Sequence, residues 1–285
     1  MEEGGKKLAM PVGDDSFWFS RTNAMALMLG LAAGVGILAG RLPPLPQNLA
    51  YHEFADQRSW LGVPNFWNVI SNLPFLLVGA AGMVFTWQRC GSGQCGFRNP
   101  AERWPYFAMF AGVFLTAFGS AYYHWAPGSA RLVWDRLPMT IAFASLVAAV
   151  ISERISPRWG VRLLPGFIAL AGASVLWWYV GELRGNGDLR FYAAVQGYAA
   201  LALLLAAFVP SAYSRRGDFL VAFALYAAAK ILERADHRVF QFAHLVSGHS
   251  LKHLASAWAA YWLLRMLKVR RFKERQPRSL AAVRV

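Results

Sequence analysis

Three histidines and one aspartate of this chain stand out because they lie at the ends of long apolar segments. His124 ends one such segment, Asp135 begins the next, and His249 and His253 open the last. Residues four apart share one face of a helix, so His249 and His253 are predicted to point the same way. Ionisable groups in apolar membrane segments are costly unless they are paired or hydrated. These four residues are therefore the first candidates for function.

Their types match zinc chemistry. Zn²⁺ binds neutral imidazoles at about 2.0–2.1 Å, and catalytic zinc sites combine three protein ligands with one water molecule. A carboxylate beside the metal can orient that water or accept its proton, which is the role expected for Asp135. Ser120 precedes His124 by four residues and shares its predicted helix face. Its hydroxyl can stabilise a developing oxyanion.

Two other interpretations of these residues remain at this point. The histidines can have structural roles, either in packing or in hydrogen bonds between helices. They can also belong to a proton relay in a transporter. Few other charged residues lie deep in the predicted helices, which argues against a relay that crosses the membrane.

The segments that carry these residues predict an all-α, polytopic membrane helical bundle. Charged residues make up 15% of the 285 residues, whereas soluble domains average about 25%. Eight apolar runs approach or exceed the length that spans a bilayer. They are 22–40, 67–86, 105–124, 134–152, 163–181, 190–208, 217–233 and 249–267. The first run is longer than the apolar core of a typical signal peptide, so a retained helix is expected rather than a cleaved one.

The basic residues predict the orientation of the bundle. The net charge is +14, and eight Lys and Arg residues lie in the tail from Arg265 to Arg284. Such clusters stay on the cytoplasmic side. Eight spans then place both termini in the cytoplasm and the histidines near the opposite, non-cytoplasmic face. The membrane is either a bacterial inner membrane or a eukaryotic endomembrane. No aromatic-basic module accompanies the charge, so nucleic acid is not an expected partner.

The order and spacing of these residues resemble the alkaline ceramidase family. Ser120-x₃-His124, Asp135 and His249-x₃-His253 are also similar to the wider group of seven-helix membrane hydrolases that includes the adiponectin receptors. The segments 65–75 (NFWNVISNLPF) and 119–125 (GSAYYHW) favour the ceramidases.

The resemblance covers about residues 51–268, a seven-helix core. Residues 1–50 look like a cytoplasmic tail plus one extra transmembrane helix, and 269–285 look like a basic cytoplasmic tail.

The resemblance implies a zinc-dependent amidase that cleaves ceramide or a related sphingolipid into a sphingoid base and a fatty acid. It carries over His124, His249 and His253 as zinc ligands, Asp135 as the residue that acts on the zinc water, and Ser120 as an oxyanion or supporting group. Its lipid substrate is then drawn from the bilayer. The alternative is a seven-helix receptor or lipid-binding protein with a structural zinc ion.

Calcium is a second metal suggested by the resemblance. Eukaryotic ceramidases bind Ca²⁺ through an acidic segment before the first core helix, where this chain has Glu53, Asp56 and Asn65. Calcium prefers several carboxylate oxygens, and Arg58 is unfavourable there. These residues therefore predict at most a weak calcium site, and a salt-bridged outer loop is the alternative.

Several further polar residues are candidates for the substrate cavity. Asn68, Ser71 and Asn72 share one face of the first core helix, where they either line the cavity with Tyr123 or bond a neighbouring helix. Lys230 and Glu233 are three residues apart and are expected to pair with each other.

Overall fold

The computed structural model describes residues 21–91 and 96–273, and this part of the chain is almost entirely helical. Its α-helices are α1 (Arg21–Arg41), α2 (Phe66–Ile70), α3 (Leu73–Gly91), α4 (Arg103–Trp125), α5 (Ser129–Arg154), α6 (Pro157–Leu183), α7 (Arg190–Phe208), α8 (Asp218–Arg234), α9 (Asp236–Ala243) and α10 (Gly248–Val269). The predicted all-α class is confirmed.

Six segments of the described chain are long and apolar enough to cross a membrane, which makes this an integral membrane protein. They are α1, α2 together with α3, α4, α5, α6 and α7. The other two predicted spans form helices as well. However, α8 has only 17 residues, and α10 is less apolar because it contains three basic residues and two histidines. These two helices pack against each other within the bundle.

The first core span is broken into two helices by its own sequence. α2 ends at Ile70, and α3 begins at Leu73 with Pro74 in its first turn. Proline lacks an N–H group and is tolerated at that position. The Asn72 side chain donates hydrogen bonds to the Asn68 and Val69 carbonyls, 2.8 and 3.2 Å away. The same two oxygens also accept the Ser71 hydroxyl and the Asn72 N–H, so the carbonyls at the break keep hydrogen-bond partners.

The helices alternate in direction, so one end of the bundle collects the predicted site. We call it the histidine end, and define it by the end of α4, the start of α5 and the start of α10. The His124 and His249 rings lie against each other there, with centroids 4.8 Å apart. The start of α1 and the end of α10 therefore both lie at the opposite end.

α5 is the central helix of the bundle, packed against α4, α6 and α7. Its contact with α4 depends on glycines. A Cβ atom added to Gly112 would lie 2.6 Å from the Ala142 nitrogen, and one added to Gly119 would collide with the Trp134 carbonyl oxygen. Because neither glycine has a Cβ, the two backbones can approach closely. This approach brings the end of α4 alongside Asp135.

α1 is peripheral and packs mainly against α7. Its C-terminal end is held by Arg190, which donates a 2.5 Å hydrogen bond to the Leu42 carbonyl and forms a 2.7 Å ion pair with Asp188. The hydrogen bonds from Arg190 hold the pKa of the Asp188 carboxyl at about 2. Thus α1 reaches the histidine end beside the start of α7.

The close approach of α4 and α5 predicts a stability effect. Gly112→Ala places a methyl group against the α5 backbone, and overpacking of this kind costs about 1–3 kcal/mol. Gly172→Ala on α6 is the matched control, because no atom lies within 4 Å of its added Cβ and alanine favours a helix. We expect detergent-induced unfolding of the purified protein to show a loss only for Gly112→Ala. Equal stability of the two variants would contradict this description of the contact.

Candidate metal centre

The first turn of α10, which carries His249, is held in place by two side chains. The Ser247 hydroxyl oxygen accepts the Ser250 N–H at 3.1 Å, which caps the helix. The Asp236 carboxylate accepts the His249 N–H at 2.7 Å. Gly248 allows this contact, since a Cβ there would lie 2.8 Å from the Asp236 Cα. The helix therefore begins at a defined position against α9.

The three predicted histidines meet at this point. His124, His249 and His253 are all buried, and their ring centroids lie 4.8–4.9 Å apart in each pair. One ring nitrogen from each lies within 4.8 Å of those of the other two, an arrangement that can hold a metal ion.

The arrangement fits zinc. The Nε2 atoms of His124 and His249 are 3.3 Å apart, and two ligands of a tetrahedral zinc ion with bonds of about 2.0–2.1 Å lie about 3.4 Å apart. The Nδ1 atom of His124 is buried and has no hydrogen-bond partner among the described residues. Three neutral imidazoles without a carboxylate ligand match the nitrogen preference of zinc rather than that of calcium or magnesium.

Two neighbours orient the histidine rings. The Ser71 hydroxyl lies 2.7 Å from the His253 Nδ1, which leaves the Nε2 atom of that ring for a ligand. Such a partner on the second nitrogen fixes the tautomer of a metal-binding histidine. The Phe54 ring lies 4.6 Å from His124 and 4.5 Å from His249, centroid to centroid. Because Phe54 is itself buried, it shields these two rings from water on one side.

Asn68, a substrate-cavity candidate on the first core span, forms hydrogen bonds with neighbouring parts of the protein. The Asn68 amide nitrogen donates to the Asp56 carbonyl at 3.0 Å, and its oxygen accepts the Ser250 hydroxyl at 3.0 Å. Asn68 therefore joins the outer loop to α10.

Tyr123 packs beside His124, with ring centroids 4.8 Å apart. Its hydroxyl is 2.9 Å from the Nδ1 of His52. Burial, reinforced by the Arg136 charge, lowers the pKa of His52. That pKa direction favours a neutral His52 ring at pH 7.

Two of the three calcium candidates bond other groups of the protein. Both Asp56 oxygens accept hydrogen bonds from Arg58, at 2.8 and 2.7 Å. The Asn65 side chain donates to the His124 carbonyl at 3.0 Å, and Glu53 is exposed. Asp56 and Arg58 thus form a salt-bridged loop. Asn65 holds the end of α4 by bonding the backbone carbonyl of His124.

Ser120 and Asp135 are both buried, and both line one cavity. Together with His253 they form the polar wall of a cavity of about 150 Å³. The cavity continues between α4, α5, α7, α8 and α10, where its walls are mainly apolar. These walls include Phe75, Met109, Val113, Met139, Ala142, Phe143, Leu146, Leu203, Ala222, Ala260 and Leu263.

Lys252 is a further polar residue at this cavity, and its role was not predicted from the sequence. The Lys252 ammonium pairs with Glu233 at 2.7 Å, and Lys252 lines the same cavity. Glu233 also binds Lys230, as expected, and accepts the Tyr51 hydroxyl at 3.0 Å. The sequence did contain a signal for this residue, because a lysine between two histidines of a membrane helix needs a buried partner for its charge.

One comparison with known proteins identifies related chains. A family model described as Ceramidase matches residues 62–216. The match contains Ser120, His124 and Asp135, and it ends before α10. No curated protein matches the chain.

The metal centre predicts how zinc content depends on single side chains. His253→Ala removes one of three ligands, so the purified variant should lose most of its zinc during dialysis. Ser71→Ala should weaken zinc affinity by about 10–100-fold, the usual effect of losing a supporting hydrogen bond. His237→Ala is the control, because that histidine is exposed on α9.

Elemental analysis gives the stoichiometry in each case. About one zinc per chain is expected in the wild type and the control. Retention of zinc by His253→Ala would exclude His253 as a ligand.

Proposed function

The chain belongs to the ceramidase family, and on this basis we propose that it is a zinc-dependent membrane amidase. Its substrate is ceramide or a related sphingolipid, and its products are a sphingoid base and a fatty acid. The observation that carries the proposal is that the cluster of three histidines reaches, through His253, a cavity that is also lined by Ser120 and Asp135.

The cavity supports a lipid substrate. Apolar side chains cover most of its wall, and the polar groups lie together near the histidines. The part of an acyl chain next to the amide can therefore occupy the apolar part, while the amide group lies beside His253 and Asp135. Apolar pockets with a few convergent polar groups are the usual form of such sites.

Asp135 and Ser120 can perform different roles in the hydrolysis of an amide. A bound Zn²⁺ ion would supply Lewis acidity, which acidifies water and polarises a carbonyl oxygen. Asp135 accepts a proton from the water that attacks the amide carbon, and returns a proton to the departing nitrogen as the carbon–nitrogen bond breaks. Ser120 lines the same cavity wall as Asp135 and supports that carboxylate or the reacting carbonyl oxygen.

The proposal includes the side of the membrane at which the reaction takes place. The start of α1 and the end of α10 both lie away from the histidine end, and the basic tail after α10 favours the cytoplasm for them. We therefore place the active site near the non-cytoplasmic face.

Asp135→Asn tests the catalytic role. The substitution preserves shape but removes the proton acceptor, so release of fatty acid should fall by about 10²-fold or more. Zinc content should remain close to that of the wild type, because Asp135 is not a ligand. Asp218→Asn is the matched control, since Asp218 pairs with Arg215 at the opposite end of the bundle. Both variants are assayed in nanodiscs against ceramides of several acyl lengths, with zinc measured in the same samples.

The outcomes separate the alternatives. If the zinc-loaded wild type cleaves no ceramide of any length, the amidase proposal fails and a receptor with structural zinc takes its place. If Asp135→Asn loses zinc, Asp135 is a ligand and its assigned role is wrong.

A further inference from the structure

We propose that Lys252 contacts the substrate directly, binding the acyl carbonyl oxygen and then the carboxylate of the fatty acid product. This inference rests on the proposed amidase function. It assigns a substrate-binding role to a residue outside the three histidines, Ser120 and Asp135.

The position of Lys252 supports this role. It immediately precedes His253 on α10, and its side chain is only 14% exposed. It lines the cavity together with Ser120, Asp135 and His253. The amide of a substrate whose chain fills the apolar part of the cavity therefore lies beside the ammonium group.

The ammonium group has hydrogen-bonding capacity to spare. Lysine carries three N–H donors. Within residues 21–91 and 96–273, the Glu233 carboxylate is its one hydrogen-bond partner, at 2.7 Å. Lys252 interacts electrostatically with Asp135 across the cavity wall. Two donors thus remain for an oxygen atom placed in the cavity.

Glu233 does not cancel the Lys252 charge by itself. The same carboxylate pairs with Lys230 and accepts the Tyr51 hydroxyl. Lys230 is 53% exposed and is not part of the cavity wall. Two lysines therefore share one carboxylate, and the buried one faces the catalytic residues. Among the described residues that line the cavity, Lys252 is the one with a permanent positive charge.

The chemistry requires such a group. Hydrolysis adds water across the carbon–nitrogen bond of the amide, giving a carboxylate and an amine that takes up a proton. Negative charge develops on the carbonyl oxygen as water adds, and a nearby cation stabilises it. Ser120 offers only a neutral hydroxyl, whereas the Lys252 ammonium is charged, and a charged donor forms the stronger hydrogen bond to an oxyanion. Lys252 is therefore better suited than Ser120 to donate to this oxygen.

The competing explanation is that Lys252 is only a counter-ion for Glu233. Lys252→Met and Lys230→Met distinguish the two roles, because each removes one cation from the same carboxylate while only Lys252 lines the cavity. We expect kcat to fall about 10²–10³-fold in Lys252→Met, the usual loss for one oxyanion donor, with a smaller change in KM. Lys230→Met should remain within a few-fold of the wild type. Lys252→Gln keeps a donor for Glu233 and serves if the methionine variant folds poorly.

Ligand binding gives a readout that does not depend on turnover. We would measure the binding of palmitic acid and of hexadecanol, which differ in the head group, to each protein in nanodiscs. The wild type and Lys230→Met should prefer the acid, and Lys252→Met should lose that preference without losing zinc. Equal effects of the two lysine substitutions on kcat and on acid binding would overturn the inference.

A failure of the proposed function gives a different pattern. If the wild type cleaves no ceramide yet prefers the acid through Lys252, the oxygen-binding role stands and the amidase function does not. If the wild type cleaves ceramide and Lys252→Met behaves like the wild type in both assays, only the role of Lys252 is lost.

Discussion

At one end of this apolar bundle, polar groups are buried and must have partners. The rest of the structure depends on that constraint. Three imidazoles are buried there, two of them against Phe54. Such groups are expensive in a membrane protein unless hydrogen bonds or a metal ion satisfy them. The surrounding architecture supplies those partners: the broken first span presents Ser71 to His253, and the start of α10 is tied to Asp236. A cation between the three nitrogens would complete this scheme.

The parts of the site that were predictable from sequence are those set by local helix geometry and by the alternation of spans. His249 and His253 share a face because they are four residues apart, and His124 joins them because α4 ends where α10 begins. The contacts of Ser71 and Phe54 were not predictable, since they depend on the break between α2 and α3 and on the path of the outer loop. The same polar residues that build the site made α10 look less like a membrane span.

The calcium interpretation illustrates how one neighbour changes the use of a carboxylate. Asp56 has the residue type that calcium prefers, but Arg58 occupies both of its oxygens. Lys252 shows the converse case. It shares Glu233 with an exposed lysine, so its buried charge remains directed at the cavity. The sequence shows that Asp56 and Lys252 are charged. Their roles depend on the residues that they pair with in the folded protein.

The central claim is that three histidines from two helices hold a zinc ion at the catalytic cavity. X-ray absorption at the zinc edge of the purified wild-type protein tests it most directly. The account predicts a four-coordinate zinc with three imidazole nitrogens and one further light atom, at about 2.0–2.1 Å. A spectrum with sulfur ligands at about 2.3 Å, or a protein purified under mild conditions that contains no zinc, would contradict it.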